Sequence, residues 1–207
     1  MTYGIDQIWQ SMRDWAFDED LVGTSAQKIV QDAKSRVGGN AIHGSGSKKA
    51  VCVKCVSDSY RAAEVPWPFK DDIPIDNVDA LEDAFTGGKG YDQDYSTLYK
   101  RIDGWDNVKA GDIAVFRGGE STSGKHIAIA TSDAKPLDTD ILSMIPGMDD
   151  FLGTSSGGGF DVVHDRGEEH KITEDYYDVN RLRGKADYSH SWRYIGDQKE
   201  EDSTETE

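Results

Sequence analysis

The sequence predicts an α+β fold, with helices in the first half packed on an antiparallel sheet built from the second half. Three observations predict it. Apolar residues recur at helical spacing up to about residue 85. From about residue 112 the pattern changes to short alternating runs. No internal repeat is visible, and helices followed by strands is the order of α+β domains rather than of parallel α/β sheets.

The elements follow in order. Ile5, Ile8, Trp9, Met12 and Trp15 trace one face of an amphipathic helix. Thr24-Ser25 can cap a second helix with the stripe Ala26, Ile29, Val30, Ala33 and Val37, ended by Gly38-Gly39. A Gly- and Ser-rich loop covers 40–49. A third helix starts near Cys52 and runs to about Glu64, with Cys52, Cys55, Val56, Ser59, Tyr60 and Ala63 on one face, and Pro66 and Pro68 close it. Val78, Leu81 and Phe85 mark a short helix over 77–85, and 95–102 reads as a further helical turn or two. Strands are predicted at 112–116, 126–131, 160–164 and 191–195. Between the second and third of these lies 132–159, with a helix expected at 138–151 and then the glycine run 153–159. Residues 1–197 thus form one domain, in which 132–159 is an insertion and a candidate lid beside a cleft. The acidic end, 198–207, reads as a disordered tail.

Composition narrows the function. The 207 residues carry a net charge of −16, a field that repels phosphate backbones and argues against a nucleic-acid partner. No apolar run approaches the ~20 residues of a membrane span. The first fifteen residues lack the basic start and apolar block of a secretory signal. The expectation is synthesis in the cytoplasm and delivery to the cell wall or periplasm by a secretion system or by lysis.

Cys52 and Cys55 are the two cysteines, too few for a disulfide framework. Cys52 opens a helix after a glycine-rich loop. Free N–H groups and the positive dipole end favour a thiolate there, and the same groups can later receive an oxyanion. Cys55, a turn further in, behaves as a small hydrophobe. A base must come from elsewhere in the chain. His126 opens the strand His126-Ile127-Ala128-Ile129-Ala130 with small residues on its own face, over which a core helix could pack. His164 shares a face with Val162 on the next strand and could orient His126, whereas Asp165 points the other way unless a bulge turns it inward. His43, His170 and His190 read as surface residues.

These residues resemble the NlpC-type cell-wall peptidases, a papain-like family. The stretch 33–38 followed by a glycine loop looks like the family's helix before its catalytic cysteine. Cys52-Val53-Lys54-Cys55-Val56, with Tyr60 beyond, is similar to the family's Cys-Ser-Gly-Leu-Val and following aromatic. Residues 109–116 resemble its Gly-Asp-Leu-Val-Phe-Phe strand, and His126-Ile127-Ala128-Ile129 its His-Val-Gly-Ile. Val51, Val53 and Lys54 replace the family's Asp, Ser and Gly, and its usual tyrosine before the cysteine is missing, as in distant branches such as type VI secretion amidases and phage lysins. The resemblance implies a papain-like fold and a cysteine peptidase or amidase with Cys52, His126 and His164 as its triad. It also implies a peptidoglycan stem peptide as substrate, cut at a D-glutamyl to diamino-acid bond or a nearby amide. No metal or cofactor is expected, and an immunity protein or secretion machinery is a conceivable partner. Three other readings stand beside this one: a Cys52–Cys55 redox dithiol, a zinc site using both cysteines with His126 and His164, and a non-catalytic binding or virion-associated protein on the same fold.

Overall fold

The computed structural model describes residues 24–40, 51–118, 124–136, 158–165, 171–178 and 187–197. The expected helices at 1–15 and 138–151, the loop before Cys52, the acidic tail, His43 and His170 lie outside these residues, as does most of the segment 132–159.

Helix α1, Ser25–Ser35, starts where Thr24 accepts a hydrogen bond from the Gln27 N–H, and it buries Ile29 and Ala33. Helix α2, Val51–Ala62, carries Cys52 in its first turn. Its Val53, Cys55, Val56, Ser57, Ser59 and Tyr60 are all buried, so more than one face is covered. Lys54, Asp58, Arg61 and Ala62 lie toward solvent, Cys52 is partly buried, and Lys54 pairs with Asp58 one turn on. Helix α3, Val78–Phe85, is capped by Asn77, whose side chain accepts from the Ala80 N–H at 2.8 Å. Among the described residues no helix is long and apolar enough to cross a membrane.

Strands β1, Phe69–Lys70, and β2, Ile73–Pro74, make a small hairpin. The main sheet is antiparallel. It contains β3 (Tyr99–Ile102), β4 (Ile113–Arg117), β5 (Lys125–Ala130), β6 (Lys135–Pro136), β7 (Gly158–Asp165), β8 (Ile172–Asp178) and β9 (Asp187–Tyr194). Its order is β3-β9-β4-β5-β7-β6, with β8 also paired to β7. The expected helical turns over 95–102 are instead a 3₁₀ turn, Tyr95–Thr97, followed by β3. Pairing with β9 overrides the local pattern, because Tyr99 and Ile102 are buried while Lys100 and Arg101 between them stay exposed.

Alternation divides the core in two. Ile113, Val115, Ile127, Ile129, Val163 and Trp192 face the helices and join Tyr60, Trp67, Phe85 and Tyr99. Ala114, Phe116, Ala128, Ala130, Phe160, Val162 and Tyr177 form a second cluster on the opposite face. The helices therefore cover the isoleucines of β5. The small-residue face of β5, where the sequence pattern placed a helix, is filled by the aromatic rings of Phe116, Phe160 and Tyr177.

Buried aromatic side chains fasten the helices to the loops through their polar tips. The Tyr60 hydroxyl donates to the Gly111 carbonyl at 2.6 Å, that of Tyr99 to Pro66 at 2.6 Å and that of Tyr95 to Trp67 at 2.7 Å. Gly111 stands at φ +90°, and a Cβ there would come within 2.9 Å of the Ala26 backbone. The turn entering β4 thus requires glycine for both its conformation and its contact with α1. Gly111→Ala is expected to lower stability by about 1–3 kcal/mol, read as a lower urea midpoint; an unchanged midpoint would mean that α1 yields freely at Ala26.

Candidate active site

Strands β5 and β7 part company at one end, and the candidate residues gather there. Their pairing covers Ile129 with Val163 and Ala130 with Val162. It does not continue to the stretch 126–128. The Ala130 N–H donates to Asp112 ahead of β4 and the Thr131 N–H to Asp161 in β7. Alternation then directs the Ile127 N–H toward β7, into the opening.

Cys52 occupies the helix side of this opening. Its half-buried thiol lies near the backbone N–H groups of Ile127, Val53 and Cys52 itself. These donors favour the thiolate, but burial outweighs them and raises the pKa, with the nearby Asp165 carboxylate adding to the rise. The resting group is therefore a thiol, and the helix end does not by itself produce the thiolate expected from the sequence. Cys55 lies deeper, and its thiol is pushed up to about 12, mainly by burial.

His126 faces Phe116 across β4 and β5, with ring centroids 6.3 Å apart, so it stands on the second face of the sheet. Thiol and imidazole approach the opening from opposite faces. Among the described residues no hydrogen bond joins them, although the Cys52 thiol lies near the N–H of the residue after His126. His126 Nε2 is 2.9 Å from His164 Nδ1, with the rings edge to face. His164 Nε2 is 2.9 Å from Asp175 Oδ2, and the Thr173 hydroxyl donates to the same oxygen at 3.1 Å. Burial, then coulombic coupling to the neighbouring His164 ring, lowers the His126 pKa to about 3, so the imidazole is neutral at ordinary pH.

Asp165 lies on the opposite face from His164. It is buried with Val163 and Ile172 on the helix side, near both cysteines. Among the described residues no group of three or more His, Cys, Asp and Glu side chains is arranged to hold a metal ion. The cysteines and the histidine pair stand on different faces.

His190 departs from its expected surface position. It is fully buried under α3, with Nε2 2.9 Å from Glu82 Oε1 but out of line for a hydrogen bond, and Nδ1 3.0 Å from Ser189 Oγ. A bulge in β9 explains this. Val115 pairs with His190 and Phe116 with Tyr188, so the extra residue Ser189 turns Tyr188 and His190 to opposite faces. Glu82 also binds Lys125 at 2.6 Å, and Lys125 bonds Asp79 as well, which fixes the start of β5 to α3. Sequence reasoning missed Asp175 because 172–178 was not read as a strand; the alternation of Ile172 with the polar Thr173 is weak. A surface hollow of about 490 Å³ lies elsewhere, lined by Lys100, Asp103, Lys109, Asp133 and Arg193, and none of the predicted site residues lines it.

No protein-family model matches the chain, and no curated protein matches it. The chain is similar to two solved structures, described as "The crystal structure of Ly7917" and "The crystal structure of Ly7917 with the hydrolyzing product of MDP". The first is 14% identical with a TM-score of 0.44, the second 13% identical with a TM-score of 0.46. Each likeness covers 84% of this chain but only 63% and 64% of the other, so the chain spans less than two thirds of their length.

The depressed pKa of His126 predicts a pH dependence of stability. The unfolded chain binds this proton near the ordinary value of 6.5 and the folded chain only near about 3. Between those values the unfolded state holds more protons, so stability falls as pH drops through that window. His126→Gln is expected to flatten the fall, measured as urea unfolding free energies over a pH series. Parallel curves for the two proteins would show that His126 is not held neutral by the fold.

Proposed function

We propose that the chain is a cysteine hydrolase of the papain-like, NlpC type, cleaving an amide bond in peptidoglycan stem peptides. Cys52 is the nucleophile, His126 the general base and His164 the residue that orients it. The observation that carries this reading is the His126–His164 hydrogen bond beside the strand opening, with the Cys52 thiol near the Ile127 N–H that points into it. With Nε2 of His126 engaged by His164, Nδ1 is the nitrogen left to accept a proton. The substrate class rests on the sequence resemblance.

The chemistry starts from a neutral pair. Sγ of Cys52 attacks the amide carbonyl as His126 takes its proton, forming the S–C bond and an oxyanion. The N–H of Cys52 in the first turn of α2 is the donor offered to that oxyanion. The intermediate collapses, the C–N bond breaks, and His126 gives its proton to the leaving amine. Water, deprotonated by His126, then attacks the thioester and returns the acid and the free thiol. General-base removal fits the site better than a preformed ion pair, since burial disfavours both the thiolate and the imidazolium.

A second reading, a non-catalytic binding or virion-associated protein on the same fold, is favoured by the protonated thiol and the lack of a hydrogen bond between it and His126. Mass spectrometry of purified peptidoglycan incubated with the protein separates the two. The hydrolase reading predicts released peptides, a loss of roughly 10⁴-fold or more in Cys52→Ala, and retained cleavage in Cys55→Ala. The latter protein should melt earlier, by about 1 kcal/mol of lost core packing. Absence of products from the wild type would select the binding reading. Cleavage by Cys52→Ala with none by Cys55→Ala would reassign the nucleophile.

A further inference from the structure

The histidine pair does not end at His164. In the β7–β8 ladder Thr173 stands opposite His164 and Asp175 opposite Val162. Asp175 is therefore the diagonal neighbour of His164 on the same face, within side-chain reach. Its Oδ2 lies 2.9 Å from His164 Nε2 and accepts from the Thr173 hydroxyl at 3.1 Å. Three residues, His126, His164 and Asp175, thus form a chain of two short hydrogen bonds running outward from the opening.

Such a chain has a direction, and its outer end decides it. A carboxylate offers only acceptors, so His164 must carry its proton on Nε2. A neutral His164 then presents a bare Nδ1, which accepts from His126 Nε2–H. A neutral His126 protonated at Nε2 has a bare Nδ1. Without the carboxylate each imidazole could reverse, and His126 could carry its proton on Nδ1, where it is useless as a base.

We propose that Asp175 is a positioning residue that fixes the tautomers of both histidines and so keeps Nδ1 of His126 free to take the Cys52 proton, an inference that rests on the hydrolase reading above. Asp175 touches no reacting atom. Thr173 holds the carboxylate oxygen in line.

The test uses the full chain labelled with ¹⁵N and histidine side-chain nitrogen spectra at neutral pH, together with peptidoglycan cleavage kinetics. In the wild type, His126 should be protonated at Nε2 and bare at Nδ1. Asp175→Ala should give a mixture of tautomers. Asp175→Asn, which keeps the shape and can donate its amide to His164 Nε2, should shift both rings toward the reversed form. In kinetics both variants should lose kcat by about tenfold or more with little change in KM, the scale typical of partners that orient a working histidine. Thr173→Val, a milder change, should shift the tautomers in the same direction but less. The proposal is overturned if wild-type His126 carries its proton on Nδ1, or if the tautomers of Asp175→Ala and Asp175→Asn match the wild type. The spectra are independent of turnover. A wild type with the expected tautomers and no cleavage would remove the hydrolase reading while leaving the hydrogen-bond chain intact.

Discussion

Strand β5 is buried on both faces, and most of the architecture answers to that constraint. Ile127, Ala128, Ile129 and Ala130 are all fully buried. A strand in this position needs cover above and below and pairing on both edges. The isoleucine stripe takes the helices. The alanine stripe leaves depth for Phe116, Phe160 and Tyr177 from neighbouring strands. β4 satisfies one edge along the whole strand and β7 the other only at the far end. The candidate site residues gather at the end where that second partner withdraws.

The opening between β5 and β7 sets the character of the groups around it. A backbone N–H without a strand partner costs free energy unless something accepts from it, and the Cys52 sulfur at the start of α2 lies near that of Ile127. The same enclosure strips water from the thiol and the imidazole, which keeps both uncharged. Cys52 and His126 therefore form no ion pair with each other.

Much of this was legible in the sequence because it depends on period. Helical spacing located α1, α2 and α3 within a few residues, and alternation located β4, β5 and β7. Alternation also placed His164 on the face of Val162 and Asp165 on the other. Three features were hidden for physical reasons. Both stripes of β5 are apolar, so the pattern cannot say which one meets a helix; the larger one does. Ser189 adds one residue to β9, and a bulge leaves no mark on a hydrophobic pattern, so His190 read as surface. In β8 the run Glu174-Asp175-Tyr176 is exposed and polar, and it is a strand only because β7 pairs along its whole length. Asp175 was missed with it. Whether Cys52 and His126 meet in catalysis is not a matter of period at all; it depends on a few ångströms at the strand opening.

The exposed sheet margins also bear on how the molecule behaves in a crowded solution. Among the named strands β8 pairs only with β7 and β3 only with β9, and the outer edge of β8 is met at Ile172 by Gly38 and Gly39. Each is a potential template for another chain, and each carries charge of one sign. β8 presents Glu174, Asp175 and Asp178, and β3 presents Lys100 and Arg101. Two copies meeting β8 to β8, or β3 to β3, would bring like charges together across the new ladder, which disfavours symmetric strand addition. Neutralising the acids of β8 would thus remove a barrier to symmetric pairing as well as a partner of His164.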